Sequence, residues 1–257
     1  MSRIFTLLYG VVVYVLFLGT FLYAIGFVEN VLVPKSIDAP EGGPLSAAAL
    51  LVNAALLGVF AVQHSVMARP AFKRWWTKFV PKSVERSTFV LFTNAALILL
   101  YWQWQPITSL VWTVTEPGPA QILEGVSWLG FGLVLVSTFL ISHFELFGVV
   151  QVLARVRGRD LPEPRFRTPG IYRYVRHPIY LGFILGFWAT PKMTVGHLVF
   201  AIATTGYILI GIWFEERDLV AQFGERYRRY REQVGMLLPF RKLPAPAETS
   251  EPHVLPE

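Results

Sequence analysis

Twenty-five consecutive residues, Ile4 to Val28, carry no charged side chain. No other feature constrains the fold as tightly. About 20 apolar residues suffice for a helix to cross roughly 30 Å of hydrocarbon, and only a helix or a closed barrel satisfies its own backbone there. Leu45 to Ala68, Phe89 to Trp104 and Gly125 to Ser142 form further apolar runs. Ile179 to Thr190 is short and Thr194 to Phe214 is long, with Pro191, Lys192 and Met193 between them. That pair reads as a helical hairpin. The first run is too long for a signal-peptide core, and no small-residue cleavage site follows it. Charged residues make up 16% of the chain, against about 25% in a soluble domain. The sequence therefore predicts an all-α, polytopic transmembrane bundle of five to six membrane segments, the last two a hairpin.

Basic residues are retained on the cytoplasmic side of a membrane, so their placement predicts orientation. Residues 69–86 hold six of the 23 lysines and arginines, residues 151–177 hold seven, and the tail after Phe214 holds seven more. Arg3 precedes the first run; only Lys35 and Lys192 fall in the alternate loops. Both termini are thus expected in the cytoplasm, in an integral protein of a bacterial inner membrane. The net charge of +6 follows from basic loops beside anionic headgroups and does not call for nucleic acid. Membrane lipids are the expected surroundings, and the oligomeric state is left open. The absence of cysteine removes disulfides and thiolate metal sites; no metal is expected. Residues 1–242 form the membrane domain, and 243–257, rich in Pro, Ala and Glu, read as a disordered cytoplasmic tail.

Three stretches carry candidate chemistry. Thr168 to Gly182 joins a basic loop to the hairpin, with Pro178 suited to the first position of a helix. Such a start, beside Arg176 and His177, attracts a carboxylate or phosphate, though a cap with headgroup-binding arginines has the same look. Where the hairpin returns, Glu215 and Glu216 are adjacent and about 100° apart around a helix. One can face inward to hold an ammonium while the other meets solvent; ordinary pairing with nearby arginines is the alternative. Phe223, Tyr227, Tyr230 and Val234 then recur at helical spacing with arginines opposite. This is a basic amphipathic helix, either a surface anchor or an aromatic lid facing a ligand cation. Together the three describe a pocket for a zwitterion that also carries a cation. S-adenosylmethionine is one such ligand, permitted but not selected by these residues.

Arg-His-Pro-Ile-Tyr-Leu-Gly (176–182), Glu-Glu (215–216) and Phe-Gly-Glu-Arg-Tyr-Arg-Arg-Tyr (223–230) resemble the C-terminal signature of the isoprenylcysteine carboxyl methyltransferases and phospholipid methyltransferases. Gln63 to Trp76, Glu85 to Thr88, Trp102 to Pro106 and Ser142 to Gly148 resemble the NnrU-related branch of that superfamily, in particular its members that convert methanethiol to dimethyl sulfide. The resemblance implies a cofactor-binding part over about 143–234 and S-adenosylmethionine as methyl donor. Its contacts would be Tyr172, Arg176, His177, Tyr180, Leu181, Gly182, Glu215, Glu216 and Tyr230, with Tyr227 and Tyr230 closing the cytoplasmic end. A small thiol, methylated at a cytoplasm-facing pocket, is the implied acceptor.

A thiol must lose its proton to become nucleophilic, so a base or a cationic environment, the latter from the arginines of 151–176, is expected. His143, His177 and Tyr227 are the catalytic candidates. His143 and Glu145 lie at the membrane edge, where an ionisable group marks function by default, although a histidine satisfied by a neighbour is equally ordinary. His64 and Gln63 read as interhelical glue, and Trp102 and Trp104 as an outer aromatic belt. Two other functions stay open: methylation of a prenylcysteine carboxylate or lipid amine, and a non-enzymatic NnrU-like protein of nitrogen-oxide metabolism.

Overall fold

The computed structural model describes residues 2–40, 42–161 and 166–239; the tail expected at 243–257 lies outside them. The chain enters a 27-residue helix, α1 (Arg3–Glu29), through Ser2, whose hydroxyl accepts from the Phe5 N–H at 3.2 Å. The apolar runs that follow become α2 (Ala47–Ala68), the short α3 (Pro70–Trp76) and α4 (Lys82–Gln103). After the strand β1 (Leu110–Thr113) come α5 (Pro117–Ile141), the single-turn α6 (His143–Leu146) and α7 (Val149–Arg157). Then follow α8 (Pro178–Trp188), the strand β2 (Lys192–Thr194), α9 (Val195–Phe223) and α10 (Glu225–Gln233). α1, α2, α4, α5 and α9 are each long and apolar enough to cross a membrane, and α8 is a shorter apolar helix. The chain is a polytopic, helical integral membrane protein.

Several boundaries differ from the sequence reading. The stretches 69–86 and 151–177 are not plain loops, because they contain α3 and α7. α7 is held by Val152, 2% exposed, which packs so closely on α1 that a Cβ at Gly10 would lie 2.6 Å from it. α9 continues past Phe214 to Phe223, and the chain turns there at Gly224 (φ 58°, ψ −132°), a conformation that costs only glycine little. Two segments read as loop and turn pair instead as an antiparallel ribbon, β1 with β2.

One core cluster joins α1, α2, α4, α5 and α9 toward the ribbon end of the bundle, through Phe27, Leu56, Leu100, Tyr101, Trp104, Phe131 and Phe200. Trp104 is fully buried there and its indole N–H donates to the Ile37 carbonyl at 3.1 Å. It is therefore a core residue, not part of an aromatic belt; its near neighbour Trp102 is 70% exposed. At the other end, which carries the basic residues, a second cluster draws on α1, α2 and α4 through Val13, Met67, Phe89 and Val90. α8 packs mainly on α5 in a glycine-lined crossing: a Cβ at Gly182 would sit 2.5 Å from the Gly130 carbonyl oxygen. That crossing sets where the first turn of α8 opens.

Candidate functional site

The site grows from the start of α8. Pro178 occupies the first helical position, with His177 as the cap, as its missing N–H and fixed φ favour. The three residues before it run beside the segment that leaves α10. Val175 bridges Gly235, the Arg176 N–H donates to the Gly235 carbonyl at 2.9 Å, and the His177 N–H donates to the Met236 carbonyl at 3.1 Å. α10 is thereby folded back over the end of the hairpin.

Arg176 ties the parts together. Its Nε donates to Glu216 Oε1 at 2.8 Å, and its Nη1 donates to the carbonyls of Arg231 at 2.8 Å and Val234 at 2.5 Å. A guanidinium thus satisfies carbonyls that the end of α10 leaves free. His177 Nε2 lies 3.0 Å from the same Glu216 oxygen. A carboxylate accepts, so Nε2 carries the hydrogen and Glu216 orients the ring, as carboxylates orient working imidazoles elsewhere. The side chains of Arg176, His177 and Glu216 are 9%, 4% and 12% exposed, so this cluster is largely withdrawn from water. Glu215 Oε2 accepts from the Tyr180 hydroxyl at 2.8 Å. Glu215 makes no ion pair among the described residues, whereas Glu216 also has Arg231 at 4.0 Å.

Both glutamates are half-buried and hydrogen-bonded. The sequence reading let one of them meet solvent; both are instead of intermediate burial, Glu215 against Tyr180 of α8 and Glu216 against Arg176, His177 and Arg231. The aromatic candidates line the same end. Tyr227 is 2% exposed; burial and then Glu216 raise its pKa. The Tyr230 hydroxyl donates to the Tyr172 carbonyl at 2.5 Å, and burial pushes its pKa up to about 12, with Arg176 opposing and Glu216 adding. The Tyr172 hydroxyl donates to the Ser137 carbonyl at 3.3 Å; burial, then Glu215 and Tyr230, raise its pKa. All three are proton donors at neutral pH. Phe166, which sequence reasoning missed, packs on Phe223, Tyr227 and Tyr230 at 5.6, 5.9 and 5.3 Å between ring centres. Leu181 is half-buried in the first turn of α8, and Gly182 faces α5.

His143 stands in a different nest. Its ring stacks on Phe139 at 4.1 Å and is 3% exposed. Nδ1 is 2.9 Å from the Thr138 hydroxyl, which donates its own proton to the Leu135 carbonyl at 2.7 Å. Thr138 can therefore only accept, so Nδ1 carries the hydrogen and Nε2 accepts from the Tyr14 hydroxyl at 2.9 Å. Burial lowers the His143 pKa. Its side-chain hydrogen bonds run to α1 and α5, not to α8, α9 or α10. Tyr14 lies 129 positions away, and nothing in the sequence pairs the two. The same logic applied to Thr93, which donates to the Phe89 carbonyl, makes His64 Nδ1 the donor to Thr93 at 3.2 Å. His64 bridges α2 and α4. Gln63 bonds within α2, to Met67 Sδ at 3.2 Å, and so is not interhelical through that amide.

A membrane bundle with a carboxylate pair facing an Arg-His-Pro helix start defines a class, and comparison with known proteins agrees. The family model described as phospholipid methyltransferase matches residues 125–226, which run from α5 into α10. The methanethiol S-methyltransferase of Mycobacterium tuberculosis is 55% identical over 93% of this chain and 98% of its own length. Methanethiol S-methyltransferase 1 of Bradyrhizobium diazoefficiens is 54% identical over 94% of this chain and 85% of its own. Nurim of Mus musculus is more distant, at 29% over 67% of this chain and 68% of its own. No solved structure matches the chain. The chain belongs to the phospholipid methyltransferase group of membrane enzymes, in the branch of the methanethiol S-methyltransferases.

Proposed function

We propose that this protein transfers a methyl group from S-adenosylmethionine to methanethiol, giving dimethyl sulfide. The observation that carries the reading is identity above 50% to enzymes named for that reaction, along 93% of the chain. The donor set fits the cofactor's amino-acid portion. Glu215, held among the described residues by a tyrosine hydroxyl alone, has a carboxylate to offer an ammonium, and the Arg176 guanidinium can offer N–H groups to a carboxylate. Tyr172, Tyr180, Leu181, Gly182, Glu216 and Tyr230 complete the proposed surround. When bound, S-adenosylmethionine supplies a methyl group on a positively charged sulfur.

The residues have little covalent work in such a displacement; alignment and exclusion of water dominate. The α10 segment supplies the exclusion, with its own Tyr227 buried and Phe166 packed against it. His177 is the favoured acceptor of the thiol proton. Glu216 holds its Nε2–H, which leaves Nδ1 as the basic nitrogen. The basic nitrogen of His143 is already engaged by Tyr14, so His143 serves as a relay at most, and Tyr227, a buried protonated phenol, as a donor. The basic end, with both termini, lies in the cytoplasm of a bacterial inner membrane, where the soluble cofactor is found.

Expression in a host that makes no dimethyl sulfide, followed by methanethiol feeding and headspace gas chromatography, tests the function. Dimethyl sulfide should accumulate, and Glu215→Gln should abolish it. No dimethyl sulfide from a well-expressed wild-type protein would overturn the proposal.

A further inference from the structure

Arg69 ends α2 and opens α3, and takes no part in the cluster around Glu215 and Glu216. Its guanidinium nevertheless reaches α9. Nη1 lies 3.3 Å from Asp218 Oδ2, and Cζ sits 4.8 Å from the centre of the Phe214 ring. One turn back along α2, the Ser65 hydroxyl is 3.3 Å from the Tyr207 hydroxyl. Phe60 meets the Tyr207 ring edge-on at 5.8 Å. Tyr207, Phe214 and Asp218 recur at i, i+7 and i+11, so they lie along one face of α9. Glu215 and Glu216 fall inside the same turn, between the two residues that Arg69 holds.

We propose that Arg69 is a positioning residue: by clasping Phe214 and Asp218 to α2, it sets the rotation of the α9 turn that aims Glu215 at Tyr180 and Glu216 at Arg176 and His177. Successive residues of a helix are locked about 100° apart. A clasp on positions 214 and 218 therefore fixes the directions of 215 and 216 without touching them. The pair is 32% and 47% exposed, so its direct contribution to stability is small. Its effect lies in orientation, where an error of about 1 Å is costly. Arginine suits the role because its planar fork can pair with a carboxylate while its face stacks on an aromatic ring. The inference rests on the proposed cofactor role of the glutamate pair. It adds a residue from the first half of the chain, outside the region matched by the family model.

The test uses purified full-length protein, calorimetric titration with S-adenosylmethionine, and steady-state kinetics. Arg69→Ala and Asp218→Asn should weaken cofactor binding and raise its KM by about five- to thirtyfold, with kcat changed less and little change in thermal midpoint. Arg69→Lys should fall between wild type and Arg69→Ala. The double variant Arg69→Asp, Asp218→Arg restores the pair in reverse and should recover most of the affinity. Wild-type affinity in both single variants overturns the inference. So does weakened affinity that follows a lowered thermal midpoint and is not recovered by the swap. A wild-type protein that fails to bind S-adenosylmethionine removes the glutamate reading and this inference together, which separates the two failures.

Discussion

At the scale of single residues, the two neighbouring glutamates have different work. Glu216 closes a buried charge cluster, and removing one partner of such a cluster costs about 3–5 kcal/mol. Glu216→Gln should therefore lower the thermal midpoint as well as activity. Among the described residues, Glu215 has no cation of its own. Glu215→Gln should leave the midpoint near wild type but weaken cofactor binding by about 2–5 kcal/mol, read by differential scanning and titration calorimetry on the same samples. Equal midpoints and equal affinities in the two variants would contradict the division. His143 gives a pH dependence. Burial lowers its folded pKa, so the unfolded chain takes up a proton near pH 6.5 while the folded protein still resists it. The associated stability is complete above that pH and is lost as pH falls through the folded value. His143→Gln should flatten this part of the acid limb in a series of melts from pH 7.5 downward. An unchanged limb would mean another group controls it.

At the scale of elements, α8 depends on its bed of glycine. A methyl at Gly182 would meet the Gly130 carbonyl at 2.5 Å and Val134 Cγ2 at 2.8 Å, while Gly132 on α5 has open space. Gly182→Ala should cost about 1–3 kcal/mol by overpacking and shift the first turn of α8, weakening cofactor binding. Gly132→Ala should do neither, and melts plus titrations of the two variants check this. Spans were legible in the sequence because a helix must be apolar where it crosses lipid, so each run marks its own helix, although α4, α5 and α9 extend into polar flanks beyond their runs. The site was legible in part for a related reason: a hairpin brings its two ends together whatever fills them, so Pro178 and the pair at 215–216 had to meet. What could not be read were contacts set by distant packing. Trp104 looks like a belt tryptophan until the Ile37 carbonyl is found beside its indole. α10 looks like a surface anchor until Arg176 is seen to hold the carbonyls of Arg231 and Val234. Tyr14 and Arg69 carry no local pattern pointing to their partners.

At the scale of the whole molecule, the two core clusters divide the bundle. Five helices meet in the cluster near the ribbon, and the cluster at the basic end belongs to α1, α2 and α4, with the carboxylate site beside it on α8, α9 and α10. That arrangement suits an enzyme that draws a polar cofactor from one aqueous side and a small apolar acceptor from water or lipid. The proposed orientation can be checked by placing single cysteines in this cysteine-free chain. Positions in 69–86 and 151–177 should label only after the membrane is permeabilised, and labelling in intact cells would reverse the topology. The central claim, methyl transfer to a small thiol, is tested most directly by purified protein given methyl-labelled S-adenosylmethionine and a choice of methanethiol, a prenylcysteine and a lipid amine. The account predicts labelled dimethyl sulfide as the dominant product, dependent on Glu215. Label appearing instead in the prenylcysteine or the lipid, or in no product while the cofactor is bound, would contradict it.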